Sequence, residues 1–372
     1  MRVGLVLGAG GIQGGAWLTG GLSALATETG WDPMEATRIV GTSAGSMIGS
    51  IVASGTPIWF MVAHSAGETI EGLTDAHGRP ASEADRSAGA TFRLARAWPP
   101  IGPGSWELAK RTTREPFSYP PASIAAGWLP RGFISTEPLK DIVRRSSGEG
   151  WSPHPGMRVI ACDYATGRRT VFGRPKAPKA ELADAVAASC AIPGFYHPVT
   201  IGERRYVDGG MYSTSNLDIL RDAHMDLVIC LNPTSSLHPT RQWNPLEWGA
   251  RAVRGASGRR LGTEARTMRN RGTGVVLIQP QKEDLDSMGR NLMSRKNQHR
   301  TIEVAIETVK RQLNAPENAE LLAQLPKASR PEKIHRPHGP VSEWPSMSIA
   351  DLRPGSAIYE SNGNGARLAD PA

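Results

Sequence analysis

The first 55 residues alternate short apolar segments with glycine-rich turns and helical periodicity. No other feature constrains the fold as strongly. Arg2-Val3-Gly4-Leu5-Val6-Leu7 reads as a strand, Gly8 to Gly15 as a turn, and Ala16 to Thr27 as a helix with Trp17, Leu18, Leu22 and Leu25 at helical spacing. The pattern then repeats. Ala36 to Val40 reads as a strand end, Gly41-Thr42-Ser43-Ala44-Gly45 as the turn, and Ser46 to Ala53 as a buried helix. Such β-α-β-α alternation favours a parallel sheet with helices packed on it. Both turns then lie at the carboxyl ends of strands, where sites in α/β sheets collect.

The α/β pattern resumes after residue 131. Ser135-Thr136-Glu137-Pro138 reads as a helix start, Met157 to Cys162 and Arg169 to Phe172 as strands, and Leu182 to Ala191 as a small-residue helix. Val199 to Ile201 and Arg205 to Val207 flank a hairpin turn at Gly202-Glu203, and Asp226 to Leu231 and Gly274 to Gln279 supply two more strands. Gln298 to Leu313 is amphipathic, with Ile302, Ile306, Val309 and Leu313 on one face. The main domain is therefore expected over residues 1–314. The remaining 58 residues, 315–372, hold eight prolines and little periodicity, which predicts a mostly disordered tail.

Residues 56–131 read differently, with few clear strands and four tryptophans: Trp59, Trp98, Trp106 and Trp128. Arg86, Arg93, Arg96, Lys110, Arg111 and Arg114 are interleaved with them. Two readings stand. One is ordinary helical packing with solvated cations; the other is a cap over the site whose aromatics and cations meet a lipid–water interface.

The formal net charge of +8 favours anionic surfaces. The arginines are scattered among acids, with no long basic run and no nucleic-acid-binding signature, so no nucleic-acid partner is expected. Cys162, Cys190 and Cys230 sit in apolar contexts and read as buried free thiols of a reducing compartment. No apolar run approaches the ~20 residues of a membrane span. The apolar start from Met1 to Leu7 is broken by glycine too early for a signal peptide. A cytoplasmic protein is expected, with peripheral contact at the inner membrane surface.

Gly41 to Gly45 is a G-x-S-x-G sequence where a strand hands over to a helix. A serine on such a turn is lifted from the backbone, and its small neighbours let a carbonyl approach the Oγ. Acyl transfer also needs a base for the serine proton and donors for the oxyanion. Glycines from Gly8 to Gly15 let consecutive backbone N–H groups converge on one point. A dinucleotide cradle G-x-G-x-x-G fails in this loop, because counting from Gly8 and Gly10 puts Gln13 where the last glycine belongs. Val207-Asp208-Gly209-Gly210 ends a strand and offers a carboxylate, though an Asp-Gly turn alone is common. His224, His238 and His299 follow Asp208 in the order of a Ser-Asp-His triad, but none sits in a recognisable loop motif; His197 precedes the aspartate hairpin. Glu283-Asp284-x-Asp286 lacks calcium-loop spacing and reads as a solvated turn.

Taken together, Gly10-Gly11-x-x-Gly14, Gly41-Thr42-Ser43-Ala44-Gly45, Ala188-Ser189-Cys190-Ala191-Ile192-Pro193-Gly194-Phe195 and Asp208-Gly209-Gly210 resemble the patatin-like phospholipase family. The resemblance covers about residues 2–232 and implies a three-layer α/β/α fold with a mainly parallel central sheet. It implies a Ser43–Asp208 dyad without a catalytic histidine, and backbone amides of Gly10, Gly11 and Ile12 as the oxyanion hole. Gly8, Gly14, Gly41, Gly45, Gly209 and Gly210 are the supporting glycines. No metal or cofactor is implied. The implied activity is hydrolysis of phospholipids or other fatty-acyl esters through an acyl-serine. Acyl transfer or thioester cleavage by the same dyad, and a non-catalytic lipid-binding protein on this fold, are the alternatives. One departure stands at Gln13, where many bacterial members carry a basic residue; its amide can still donate hydrogen bonds.

Overall fold

The computed structural model describes residues 1–65, 93–95, 101–235, 245–330 and 334. The chain opens with β1 (Val3–Leu7), α1 (Gly11–Thr29), β2 (Arg38–Thr42), α2 (Ala44–Ala53) and α3 (Ile58–Ser65). Next come α4 (Trp106–Arg114), α5 (Pro121–Trp128), α6 (Glu137–Ser147), β3 (Met157–Asp163), β4 (Arg169–Phe172) and α7 (Leu182–Ser189). After these follow β5 (Val199–Ile201), β6 (Arg204–Asp208), β7 (Leu227–Leu231), α8 (Pro245–Arg269) and β8 (Gly274–Ile278). The described chain closes with α9 (Lys282–Met288), α10 (Gln298–Leu313) and α11 (Pro316–Leu322).

The eight strands form one sheet in which β4 lies on one edge of β3, while β2-β1-β7-β8 and β6-β5 lead off from successive parts of its other edge. β1 lies parallel to both β2 and β7, and the parallel run extends to β3 on one side and β8 on the other. These inner strands are nearly continuous apolar runs because helices cover both faces. Val3, Leu5 and Leu7 point into a core shared with Trp17, Leu18 and Leu22 of α1 and with Ala305 and Val309 of α10. Val6, Val40 and Val228 point the other way, onto Leu261, Ala265 and Met268 of α8. This is the three-layer α/β/α arrangement with a mostly parallel sheet.

Three expectations change on contact with the structure. The helix after β1 begins at Gly11 and not at Ala16, so the glycine turn is only Gly8 to Gly10. Glycine is a poor helix former, but that is a weak preference and tertiary contacts override it. Trp59 is buried with Ile58, Phe60 and Met61, so α3 belongs to the core layer and Trp59 meets no interface. The ordered chain also continues past residue 314. α11 starts with Pro316 at its first position and buries Leu322, and beyond it the Ala328 N–H donates to the Gly30 carbonyl. A seven-residue helix is too short for periodicity to reveal. Trp98, Arg86, Arg96, His238 and the tail from residue 335 lie outside the described residues.

Candidate active site

Ser43 sits between β2 and α2 with φ 53° and ψ −123°, a conformation that a residue with a Cβ adopts only at a cost of order 1–3 kcal/mol. The turn is this tight because α2 runs directly over β1. A Cβ on Gly45 would lie 2.0 Å from the Leu7 carbonyl oxygen, so no other residue fits there. The Gly45 N–H donates to the Gly8 carbonyl at 3.1 Å, which ties the serine turn to the loop after β1. Gly41 lies in the last register positions of β2, beside Leu7 of β1 and Val159 of β3.

Asp208 reaches Ser43 through β3. Along one edge β3 carries β4. Along the other it carries first β2, with Thr42 beside Ile160, and then β6, with Asp208 beside Ala161. β2 and β6 therefore approach each other end to end on the same edge, and the residues at their junction are Ser43 and Asp208. The Ser43 hydroxyl faces the carboxylate and favours its charged form. Burial acts more strongly in the other direction and pushes the Asp208 carboxyl up to about 6, with the Gly210 N–H, donating at 2.7 Å, as the remaining stabiliser. No histidine is among the groups that perturb it. His224 and His299 are exposed, and the ring of His197 lies 3.0 Å from the Pro198 carbonyl.

The loop after β1 lies against both partners. Gly8 touches the serine turn, and Ala9 packs against Gly210 of the Asp208-Gly209-Gly210 segment, whose Gly209 approaches the Ile160 carbonyl. Gly10 caps α1, and Gly11 opens it with φ +62°, a left-handed conformation that favours glycine. The Gly14 N–H bonds back to Gly10. Among the described residues the N–H groups of Gly10, Gly11 and Ile12 meet no protein acceptor. They form an unpaired donor cluster at the positive end of a 19-residue helix.

Gln13 does not join that cluster. Its side chain is buried and fully engaged, donating to the Ser294 and Lys296 carbonyls at 2.9 and 2.7 Å and accepting from the Thr301 hydroxyl at 2.8 Å. Its N–H donates to the Leu292 carbonyl. The residue is a staple that fixes the start of α1 to the loop before α10. Its amide does donate two hydrogen bonds, as its chemistry allows, but to this loop and not toward Gly10 and Gly11.

Three residues to which the motifs assigned no role, Ser189, Asn216 and Glu264, hold the arrangement. Ser189 accepts the Ser43 N–H at 2.8 Å and donates to the Ile160 carbonyl at 2.6 Å, while the Ala191 carbonyl accepts the Asp208 N–H at 3.0 Å. The small residues at the end of α7 thus brace both candidate partners. Asn216, with φ 53° and fully buried, donates to the Thr42 hydroxyl at 3.0 Å and accepts from Arg169, which also pairs bidentately with Asp218. Glu264 of α8 is buried and accepts from the Ser213 and Ser215 hydroxyls, the Leu217 N–H and Arg260. The loop following Asp208 is thereby anchored at one end to the strand that carries Ser43. The polar side chains in Ser213-Thr214-Ser215-Asn216 were the available signal.

The cysteines are buried and free. Cys190 lies beside Ser46 and Ser43, and burial pushes its thiol up to about 12, so it is no rival nucleophile. Asp284, read as part of a solvated turn, is instead a fully buried helix cap bonded to the Gln281 N–H and the Thr308 hydroxyl.

The profile of the family described as Patatin-like phospholipase matches residues 5–221, a span that holds Ser43, Asp208, the glycine loop and Ser189.

Two outcomes follow from these bonds. Ser189→Ala leaves the Ser43 N–H and the Ile160 carbonyl unpaired, at a cost of about 1–3 kcal/mol seen as a lower Tm. Because burial raises the Asp208 carboxyl, the native chain holds that proton more tightly than the unfolded chain does. Stability therefore falls as pH rises from the unfolded value near 4 to about 6, and the cost persists above it. Asp208→Asn removes the buried charge and is expected to raise Tm at pH 7. An unchanged or lower Tm would contradict the burial argument.

Proposed function

Because the chain belongs to the patatin-like phospholipase family, whose members are usually lipid acyl hydrolases, we propose that it cleaves fatty-acyl esters through Ser43 and Asp208. The observation that carries this reading is the junction of β2 and β6 on one edge of β3, which sets a strained serine against a buried carboxylate.

In this mechanism the Asp208 carboxylate accepts the Ser43 hydroxyl proton as Oγ attacks the ester carbonyl carbon. The carbonyl π electrons move to oxygen, and the N–H groups of Gly10, Gly11 and Ile12 receive the oxyanion. Losing one donor of such a hole typically costs ~10²–10³ in rate. Collapse expels the alkoxide, which takes the proton from Asp208 and leaves acyl-Ser43. A water molecule then gives its proton to Asp208 and its oxygen to the acyl carbon. The fatty acid departs, the proton returns to Ser43, and both groups regain their starting forms. A lone carboxylate is a weak base at its ordinary pKa near 4; raised to about 6 by burial, it holds a proton better while staying ionised at neutral pH.

The substrates proposed are phospholipids and other fatty-acyl esters, reached by transient contact with a membrane surface. Among the described residues no helix is long and apolar enough to cross a membrane. Residues 101–131, the longer described part of the 56–131 segment beyond α3, are proposed as a cap, fastened to the loop after Asp208 by the Ser123 hydroxyl on the Met211 carbonyl.

A fluorophosphonate probe is expected to label the wild type and to leave Ser43→Ala unlabelled. On a soluble p-nitrophenyl ester, kcat/KM is expected to fall on the acid side with an apparent pKa near 6, because protonated Asp208 cannot accept the serine proton. Turnover that survives both Ser43→Ala and Asp208→Asn would sink the dyad.

A further inference from the structure

Apart from Met1, every large apolar side chain exposed among the described residues lies between positions 94 and 133. Ile101 and Phe117 are fully exposed, and Trp106 and Trp128 are 59% and 50% exposed. The two indoles pack edge to face, with ring centroids 6.5 Å apart. Concentration of the exposed apolar surface in one segment separates this patch from the scattered apolar residues of an ordinary surface.

The reason these side chains face outward is the amphipathic build of α4. Leu108, Ala109 and Thr112 are buried, with Leu108 and Ala109 close against Gly127 of α5 and Leu108 in one cluster with Ala126 and Tyr164. The opposite face presents Trp106, Lys110, Arg111 and Arg114, and Phe117 follows one turn beyond. The segment is held firmly beneath. The Tyr164 hydroxyl donates to the Ala126 carbonyl at 3.1 Å, the Ser123 hydroxyl to Met211, and the Leu129 side chain covers Gly194. Gly194 and Met211 lie before and after the hairpin that ends at Asp208, and Tyr164 directly follows β3, so the exposed aromatics ride on the structure bordering the candidate site.

We infer that this surface, built from Trp106, Phe117, Trp128, Lys110, Arg111 and Arg114, docks the protein onto an anionic lipid–water interface. Aromatic side chains settle at the headgroup boundary, and cations beside them are drawn to anionic lipid. Charge complementarity selects this occupant. Residues 101–133 carry four basic and two acidic side chains, within a chain of net charge +8. A self-association patch would instead set these cations against copies of themselves. The inference rests on the acyl-hydrolase reading for what the docked site does, but the docking itself requires no turnover.

The test uses the full chain carrying Ser43→Ala, so that vesicles are not consumed. Co-sedimentation is measured with phosphatidylcholine vesicles and with equimolar phosphatidylcholine–phosphatidylglycerol vesicles. Binding is expected to favour the anionic vesicles. Trp106→Ser with Phe117→Ser should weaken it by about ten-fold or more, and Lys110→Glu with Arg111→Glu should remove the preference for anionic lipid. In the Ser43 background these exposed substitutions should leave soluble-ester turnover and Tm unchanged. Equal vesicle binding by the Ser43→Ala chain with and without either pair of further substitutions would overturn the proposal. So would a dimer, seen by sedimentation equilibrium, that the same substitutions dissolve while neither vesicle is bound. Vesicle binding without turnover of any ester by the Ser43 form would leave the docking surface standing and the acyl-hydrolase reading refuted.

Discussion

The junction on the β3 edge fixes everything else about the candidate site. β2 and β6 run in opposite directions along the same edge, and their ends stop at consecutive residues, Ile160 and Ala161. A one-residue slip would turn the side chains of either strand to the opposite face. The register is held by apolar residues packed on both faces of the sheet, so the bulk of the core serves to keep two polar side chains aligned.

That alignment carries two local costs. Ser43 occupies a strained backbone conformation, and Asp208 holds a carboxylate away from water. Both are offset by hydrogen bonds from the surroundings. Ser189 bridges the Ser43 N–H to β3, Ala191 holds the Asp208 backbone, and Asn216 joins the residue before Ser43 to the loop after Asp208. Glu264 brings α8, from the far layer, into the same network. Strain at a site persists only where neighbours over-determine it, and here they come from four separate elements.

The legible parts of the sequence were those with a local cause. Gln298 to Leu313 forms the helix its apolar period indicated, and the hairpin around Gly202-Glu203 forms between β5 and β6. Elements whose cause is distant were misread. Within the helical run from Gly11 to Gly15, the loop at Leu292 and Met293 crowds Gly11, Pro233 crowds Gly14, and the Leu292 carbonyl takes the Gln13 N–H, all from far along the chain. Trp59 is buried because α3 packs against α1 and α10. Gln13 looks like a spare donor in a glycine loop, yet its acceptors at Ser294 and Lys296 come from the other end of the domain.

The sequence alone determined the β-α-β-α opening, the serine turn, the glycine loop and the aspartate at a strand end. Each of these depends on periodicity, chain length and the few residues that fit a tight turn. Tertiary structure alone decided that Ser43 and Asp208 meet, that Ser189, Asn216 and Glu264 brace them, and that the segment with the exposed aromatics is fastened to the loop after Asp208. Those are matters of strand register and packing between segments far apart in the chain, and no local pattern encodes which edge of β3 a later strand will take.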